Sequence, residues 1–250
     1  MTKSKTIFSL IKSVIFLPLF LYFLAAEVNL SYAAAQDFLR RDDNIQHNYE
    51  VLNASAKELQ ASGRPKASVG TILYTYDHKM EPYLLIGQEN HTKKGASSYC
   101  ELGGGVELDQ SGKAETFLNA CIREAKEESA GVYKLDPKYV LLNSYAYYNV
   151  TPKGREEVYI FLKAPYYSTA SDILAAVERE VDPQYREKIN FKWVKLSDLR
   201  SCAKEQCEVR DLEGKKEIIN LRDFFFKTLQ SPKVQDIFKE IEKSGSQSKS

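Results

Sequence analysis

Histidine is scarce in this chain of 250 residues, and the three present (His47, His78 and His91) are scattered, so no site is assigned to them. The four cysteines, Cys100, Cys121, Cys202 and Cys207, form no C-x2-C pair and have no histidine close by in sequence, so nothing argues for zinc. No basic run with interleaved aromatics occurs. With 35 basic against 34 acidic side chains there is no electrostatic case for a nucleic-acid partner. Internal repeats are also lacking. The uninterrupted apolar run from Val14 to Ala26 is shorter than the ~20 residues a membrane-spanning helix needs.

What is present divides the chain into parts. Lys3, Lys5 and Lys12 precede the Val14–Ala26 run, and the small residues Ala33-Ala34-Ala35 follow it. A basic start, a short apolar stretch and an A-x-A site make residues 1–35 a signal peptide. The protein is therefore expected to be exported, periplasmic or secreted, with no stable membrane anchor once the signal is removed. In an oxidising compartment Cys202 and Cys207, which flank a short polar loop, could close a small disulfide. Cys121 reads as a buried thiol and Cys100 is left unassigned.

Residues 36–66 are polar with sparse apolar spacing and are expected to be a helical or partly ordered leader ending near Arg64-Pro65. From Ala67 the pattern turns to β. Ser68–Tyr76 and Tyr83–Gly87 are rich in β-branched and aromatic residues around a turn, and predict a hairpin. Tyr139–Val150, Glu157–Ala164 and Phe191–Leu196 predict further strands; Ser171–Glu180 and Ile218–Leu229 predict helices. Residues 233–250 are expected to be a partly disordered tail. Strands outnumber helices without alternating as β-α-β units, which points to an α+β domain over 67–232 with a mixed β-sheet.

The chemistry is concentrated in residues 103–132. On a helix over Phe117–Ser129, Phe117, Leu118, Cys121, Ile122 and Ala125 make one apolar stripe. Glu124, Glu127 and Glu128 share a face at its border. Like charges at this spacing disfavour a helix unless something compensates, and a hard divalent cation suits carboxylate oxygens. A solvated acidic face with surface ion pairs is the alternative the cluster alone allows.

These residues resemble the signature of the Nudix hydrolases, G-x5-E-x7-R-E-U-x-E-E-x-G-U, with U bulky and aliphatic. Glu115 followed by Arg123-Glu124-Ala125-Lys126-Glu127-Glu128 fits the core, and Gly103-Gly104-Gly105-Val106-Glu107 resembles the entry loop. The likeness extends over roughly 67–230, including the late Phe191–Leu199 segment. There are departures. Extra residues within Asp109–Lys113 separate the glycines from Glu115, Ala130 stands where the family has Gly with Gly131 one position late, and Leu102 stands where many members have Pro.

The resemblance implies an α/β/α sandwich and a hydrolase cleaving a diphosphate linkage in a small molecule of the nucleoside-diphosphate-X type. It implies magnesium, or manganese, on Glu124, Glu127 and Glu128 with a backbone carbonyl of Gly104. Glu124 is also a candidate base, Glu115 supports the metal–water shell, and Arg123 orients the carboxylates. A late-loop acid would come from Glu178, Glu180 or Asp182. Tyr145, Tyr147, Tyr148, Tyr166 and Tyr167 are candidates for stacking a base. The competing expectation is a non-catalytic, exported ligand-binding or interaction module on the same fold.

Overall fold

The computed structural model describes residues 42–60, 63–90 and 98–247. The signal-peptide expectation for 1–35, the start of the leader, His91 and the last three residues lie outside them. The chain divides into two compact units after Gln46. Of the first, residues 42–46 are described and are helical. All that follows concerns the second.

This unit opens with a helical stretch, α1 (47–52). Asn48 ties it to the sheet, donating to Ser144 O at 2.8 Å and accepting from Ala146 N at 2.9 Å, and Leu52 is fully buried. The expected hairpin follows as β1 (Ala67–Tyr76) and β2 (Pro82–Glu89), antiparallel with Tyr74 opposite Leu84. Next come the short β3 (Tyr99–Cys100) and β4 (Leu102–Gly105), then helix α2 (Phe117–Glu128). After α3 (Pro137–Asn143), strands β5 (Ser144–Val150) and β6 (Glu156–Lys163) form an antiparallel pair. Helix α4 (Ala170–Arg179), strand β7 (Lys188–Lys195) and helix α5 (Leu196–Ser201) lead to a separate ribbon, β8 (Gln206–Arg210) with β9 (Lys216–Asn220). Helices α6 (Asp223–Leu229) and α7 (Pro232–Gln247) end the described chain.

The main sheet runs β3-β2-β1-β6-β5, with β4 also on β1 and β7 also on β2. Strands β1 and β6 are parallel, with Val69 opposite Val158; the other pairings are antiparallel, so the sheet is mixed as expected. Alternation along the strands sends apolar residues to both faces. Val69, Leu73, Val158 and Ile160 join Phe117 and Cys121 of α2 and Ile173 of α4 in one core. Ile72, Tyr74, Tyr159 and Phe161 join Leu199, Phe225, Phe238 and Ile241 of α5, α6 and α7 in the other. Helices thus cover both faces, an α/β/α arrangement of the α+β class.

Three expectations need correction. Tyr139–Asn143 is helix rather than strand, because Asp136 caps it, accepting from Tyr139 N at 2.8 Å, and Pro137 presets its first turn. Ile218–Asn220 belongs to β9, since the Asp211–Lys215 turn returns the chain antiparallel to β8; only Asp223–Leu229 is helical. Most of the supposed tail is helix α7, held by fully buried Val234, Phe238 and Ile241 at i, i+4 and i+7. Cys202 and Cys207 do form a disulfide, with Cα atoms 5.4 Å apart, while Cys100 and Cys121 are buried free thiols.

Candidate metal and phosphate site

Helix α2 begins where Thr116 accepts a hydrogen bond from Asn119 N at 3.2 Å. Its apolar stripe packs against β1, and Thr71 Oγ1 donates to Cys121 O at 3.1 Å inside the core. Full burial of Phe117 and Leu118 is worth about 1.5–3 kcal/mol each, enough to fix the helix's rotation on the sheet. That rotation sends the acidic border toward the open edge of β4, the glycine strand.

Arg123 gathers the charged positions. Its Nη2 donates to Glu115 Oε1 at 2.7 Å and to Gly105 O at 2.8 Å, and its Nη1 to Glu124 Oε1 at 2.8 Å and Glu127 Oε2 at 3.1 Å. Glu107 lies 4.0 Å from its Nε. Four carboxylates therefore surround one guanidinium. Burial pushes Glu124 up to about 7, against the pull of Arg123, with Glu127 and Glu187 adding to the rise. Glu127 is raised for the same first reason. Burial opposes the charge on Arg123, but its bonds to Glu115 and the charge of Glu124 outweigh it and hold the guanidinium firmly protonated.

The glycines allow this contact. A Cβ on Gly104 would collide with the Glu124 carboxylate, and one on Gly103 would collide with the backbone of Val69 and Gly70. Gly103 N donates to Glu128 Oε2 at 2.6 Å. The inserted residues do not disturb the approach. Asp109 Oδ1 accepts from Ser111 N and Lys113 N at 2.9 and 3.0 Å, and Glu115 N reaches Glu107 O at 3.0 Å, closing a self-contained loop. At the far end Ala130 takes a left-handed conformation, φ 48°, followed by Gly131, φ 74°, whose N–H bonds Lys126 O at 2.7 Å.

Glu128 differs from its neighbours. It is 2% exposed, and Lys188 Nζ lies 3.3 Å from its Oε1. Burial pushes its carboxyl up to about 8, with Lys188 working against the rise. Lys188 also donates to Cys100 Sγ at 3.0 Å and lies 3.8 Å from Glu89. Gly87 makes room for its stem; a Cβ there would sit 3.0 Å from Lys188 Cγ and Cδ. A cavity of about 320 Å³ beside this pair is lined by Glu89, Asn90, Glu128, Pro183, Arg186 and Glu187.

Nothing in the sequence marks Lys188, Glu89 or Glu187. The three late acids it offered, Glu178, Glu180 and Asp182, do not line this cavity; Glu187 does. Lys188 and Glu187 carry no motif, and only the strand pairing of β7 with β2 places them. The five candidate tyrosines all contact neighbouring residues, with Tyr166 and Tyr167 each 47% exposed. Tyr147 stacks on Tyr159 at 6.2 Å, Tyr166 on Tyr133 at 5.4 Å, and Tyr167 tilts against Trp193 at 5.9 Å. Tyr148 donates to Glu156 Oε1 at 2.7 Å, and Tyr145 packs against the second core.

Among the described residues, no three His, Cys, Asp or Glu side chains are arranged to hold a metal ion. Arg123 occupies Glu124 and Glu127, and Lys188 and Gly103 occupy Glu128. The donor chemistry nonetheless suits a hard cation: carboxylates exceed the cations among them, and burial has raised Glu124 and Glu127 above the ordinary range.

No family model and no curated protein matches the chain. Solved structures do. A Caenorhabditis elegans Ap4A hydrolase binary complex is 16% identical over 52% of this chain and 81% of its own, TM-score 0.33. A MutT/nudix family protein from Enterococcus faecalis is 15% identical over 67% of this chain, TM-score 0.35; the match spans only 56% of that protein. A Nudix hydrolase from M. smegmatis is 9% identical over 70% of this chain and 88% of its own, TM-score 0.36.

Proposed function

We propose that this chain is an exported Nudix-type hydrolase that cleaves a diphosphate linkage in a small phosphorylated molecule, with Mg²⁺ or Mn²⁺ as cofactor. The observation that carries this reading is the convergence of the spaced charged residues. Arg123 binds Glu115, Glu124 and Glu127 at once, and Glu124 packs on Gly104. A solvated acidic face with surface ion pairs would leave these side chains exposed, whereas those of Arg123, Glu115, Glu124 and Glu127 are between 10% and 22% exposed.

Glu124 and Glu127, with the carbonyl of Gly104, are the residues that would hold the cation; Glu128 would join them where its carboxylate leaves Lys188. Such an ion, when bound, polarises phosphoryl oxygens and lowers the pKa of a bound water. Arg123 fixes the carboxylates in one geometry, and Glu115 anchors Arg123 from the loop. Glu124 would also be the base for the attacking water.

The test is phosphate or nucleotide release from a panel of diphosphates with magnesium. Turnover that Glu127→Gln reduces by about 100-fold or more supports the reading. A purified protein inert on the whole panel, with metal affinity unchanged in Glu127→Gln, ends it.

A second reading has one observation in its favour: Lys188 already neutralises Glu128 inside the site. On that reading the chain is a non-catalytic module that binds a phosphorylated ligand. Calorimetric binding without turnover, unaffected by removing metal, distinguishes it.

A further inference from the structure

Strand β7 departs from regular pairing at its start. Phe191 lies opposite Gly87 and Asn190 opposite Gln88, but Glu89 lies opposite Lys188, so Ile189 is an extra residue in the ladder. Phe191 and Trp193 face helix α2 in the first core, and unbroken alternation would turn Ile189 the same way. The bulge gives that place to Lys188 instead and leaves Ile189 44% exposed. An apolar side chain is put out into solvent and an amine is put inside, the reverse of what burial favours unless the amine finds acidic partners there.

Those partners are two carboxylates from different elements. Lys188 Nζ lies between Glu128 of α2, 3.3 Å from its Oε1, and Glu89 of β2, 3.8 Å from its Oε1, with Cys100 Sγ accepting from it at 3.0 Å. An ammonium that bridges two acids in this way does what a bound metal ion would do. The other oxygen of Glu128 accepts from Gly103 N at 2.6 Å. Each of these oxygens keeps a further lone pair, so occupancy alone does not keep a metal away. Charge does. A divalent ion on Oε1 would stand beside an ammonium in a place too buried for water to screen the two. The balance of charge differs between the two ends of the helix face. Arg123 is one cation among Glu107, Glu115, Glu124 and Glu127, which leaves acid in excess for a metal. Glu128 and Glu89 are matched by Lys188 and Arg222, two against two.

We propose that Lys188 is a built-in second cation of this site: it holds Glu128 out of the metal shell, so that the chain takes a single divalent ion on Glu124 and Glu127. The inference rests on the metal reading for the ion itself, and on the bulge and the charge balance for the number of ions and the exclusion of Glu128. It departs from the three-carboxylate set that the resemblance implies. Lys188 is a positioning residue. It fixes Glu128 against Gly103 N, and so steadies the strand whose next residue, Gly104, packs on Glu124.

The experiment counts Mn²⁺ bound to the full chain by electron paramagnetic resonance and follows the melting temperature with and without the ion. The proteins are wild type, Glu124→Gln, Glu128→Gln, Lys188→Met and Lys188→Met/Glu128→Gln. Wild type should saturate at a single ion. Glu124→Gln should weaken binding by roughly tenfold or more, and Glu128→Gln should change it by less than about twofold. Lys188→Met frees Glu128 and Glu89, so it should bind Mn²⁺ roughly tenfold more tightly or take a second ion. Mn²⁺ should then raise its melting temperature more than that of wild type, and the double variant should lose the gain. A lysine with a merely structural role would give neither response. More than one ion on wild type, or a loss in Glu128→Gln as large as that in Glu124→Gln, overturns the inference and leaves the metal reading standing. So does a folded Lys188→Met that binds Mn²⁺ as wild type does. Where Lys188→Met fails to fold, the comparison of Glu128→Gln with Glu124→Gln decides alone. No saturable binding to wild type ends the metal reading and this inference with it.

Discussion

Arg123 reaches back from the middle of helix α2 to Glu115, just before the helix begins, and bonds its carboxylate at 2.7 Å. The same guanidinium holds Glu124 and Glu127, so one side chain fixes three acids and, through Gly105 O, the glycine strand. Removing it leaves those carboxylates facing one another half-buried. Arg123→Met should cost about 2–4 kcal/mol of unfolding free energy, read from a denaturant midpoint. Arg123→Lys should recover only a minor part, because an ammonium cannot serve several acids through a planar fork.

Lys188 and Glu128 form a fully buried pair, 1% and 2% exposed at the side chain. Lys188→Met strands the Glu128 carboxylate and should destabilise by about 3–5 kcal/mol. The double variant Lys188→Met/Glu128→Gln should recover much of that loss. Chemical denaturation of the four proteins in a double-mutant cycle measures the coupling; a coupling near zero would contradict the pairing.

Burial raises Glu101 to about 7 from an ordinary 4.5. The folded state therefore binds a proton that the unfolded chain has released between those values. Stability from this group is fully present below about pH 4.5 and is lost as pH rises through 7, on the order of 3 kcal/mol in all. Glu124 and Glu128 shift the same way, so the test is a difference. Between pH 5 and 8 wild type should lose more stability than Glu101→Gln, measured as melting temperature against pH. Parallel curves would contradict the assignment.

Ala130 holds a left-handed conformation at the end of α2, where the resembled signature has glycine. Ala130→Gly should relieve about 1 kcal/mol of backbone strain, partly offset by the entropy of the unfolded chain, and raise the melting temperature slightly.

Much of this was legible in the sequence. Periodicity and the Glu115-to-Glu128 spacing located helix α2 and put Glu128 on its buried border, and the β-branched runs located the first hairpin. What was not legible depended on tertiary contacts. Tyr139–Asn143 looks like strand by composition, but a capping aspartate and a proline make it helix. Helix α7 is polar enough to pass for a tail, because only one narrow stripe of it meets the sheet. The cation on Glu128 comes from Lys188, sixty residues later in the chain, and reaches it only because β7 pairs with β2 across Gly87. Glu101 gives no sign of burial in its local sequence, since the space it occupies is made by Gly70 on another strand.

The most direct test of the central claim is a Mn²⁺ titration followed by electron paramagnetic resonance, with Mg²⁺ as competitor. The wild-type chain should bind Mn²⁺ saturably and release it to Mg²⁺, and both Glu124→Gln and Glu127→Gln should weaken binding by roughly tenfold or more. No saturable binding, or binding that both variants leave unchanged, would contradict a metal site on this helix.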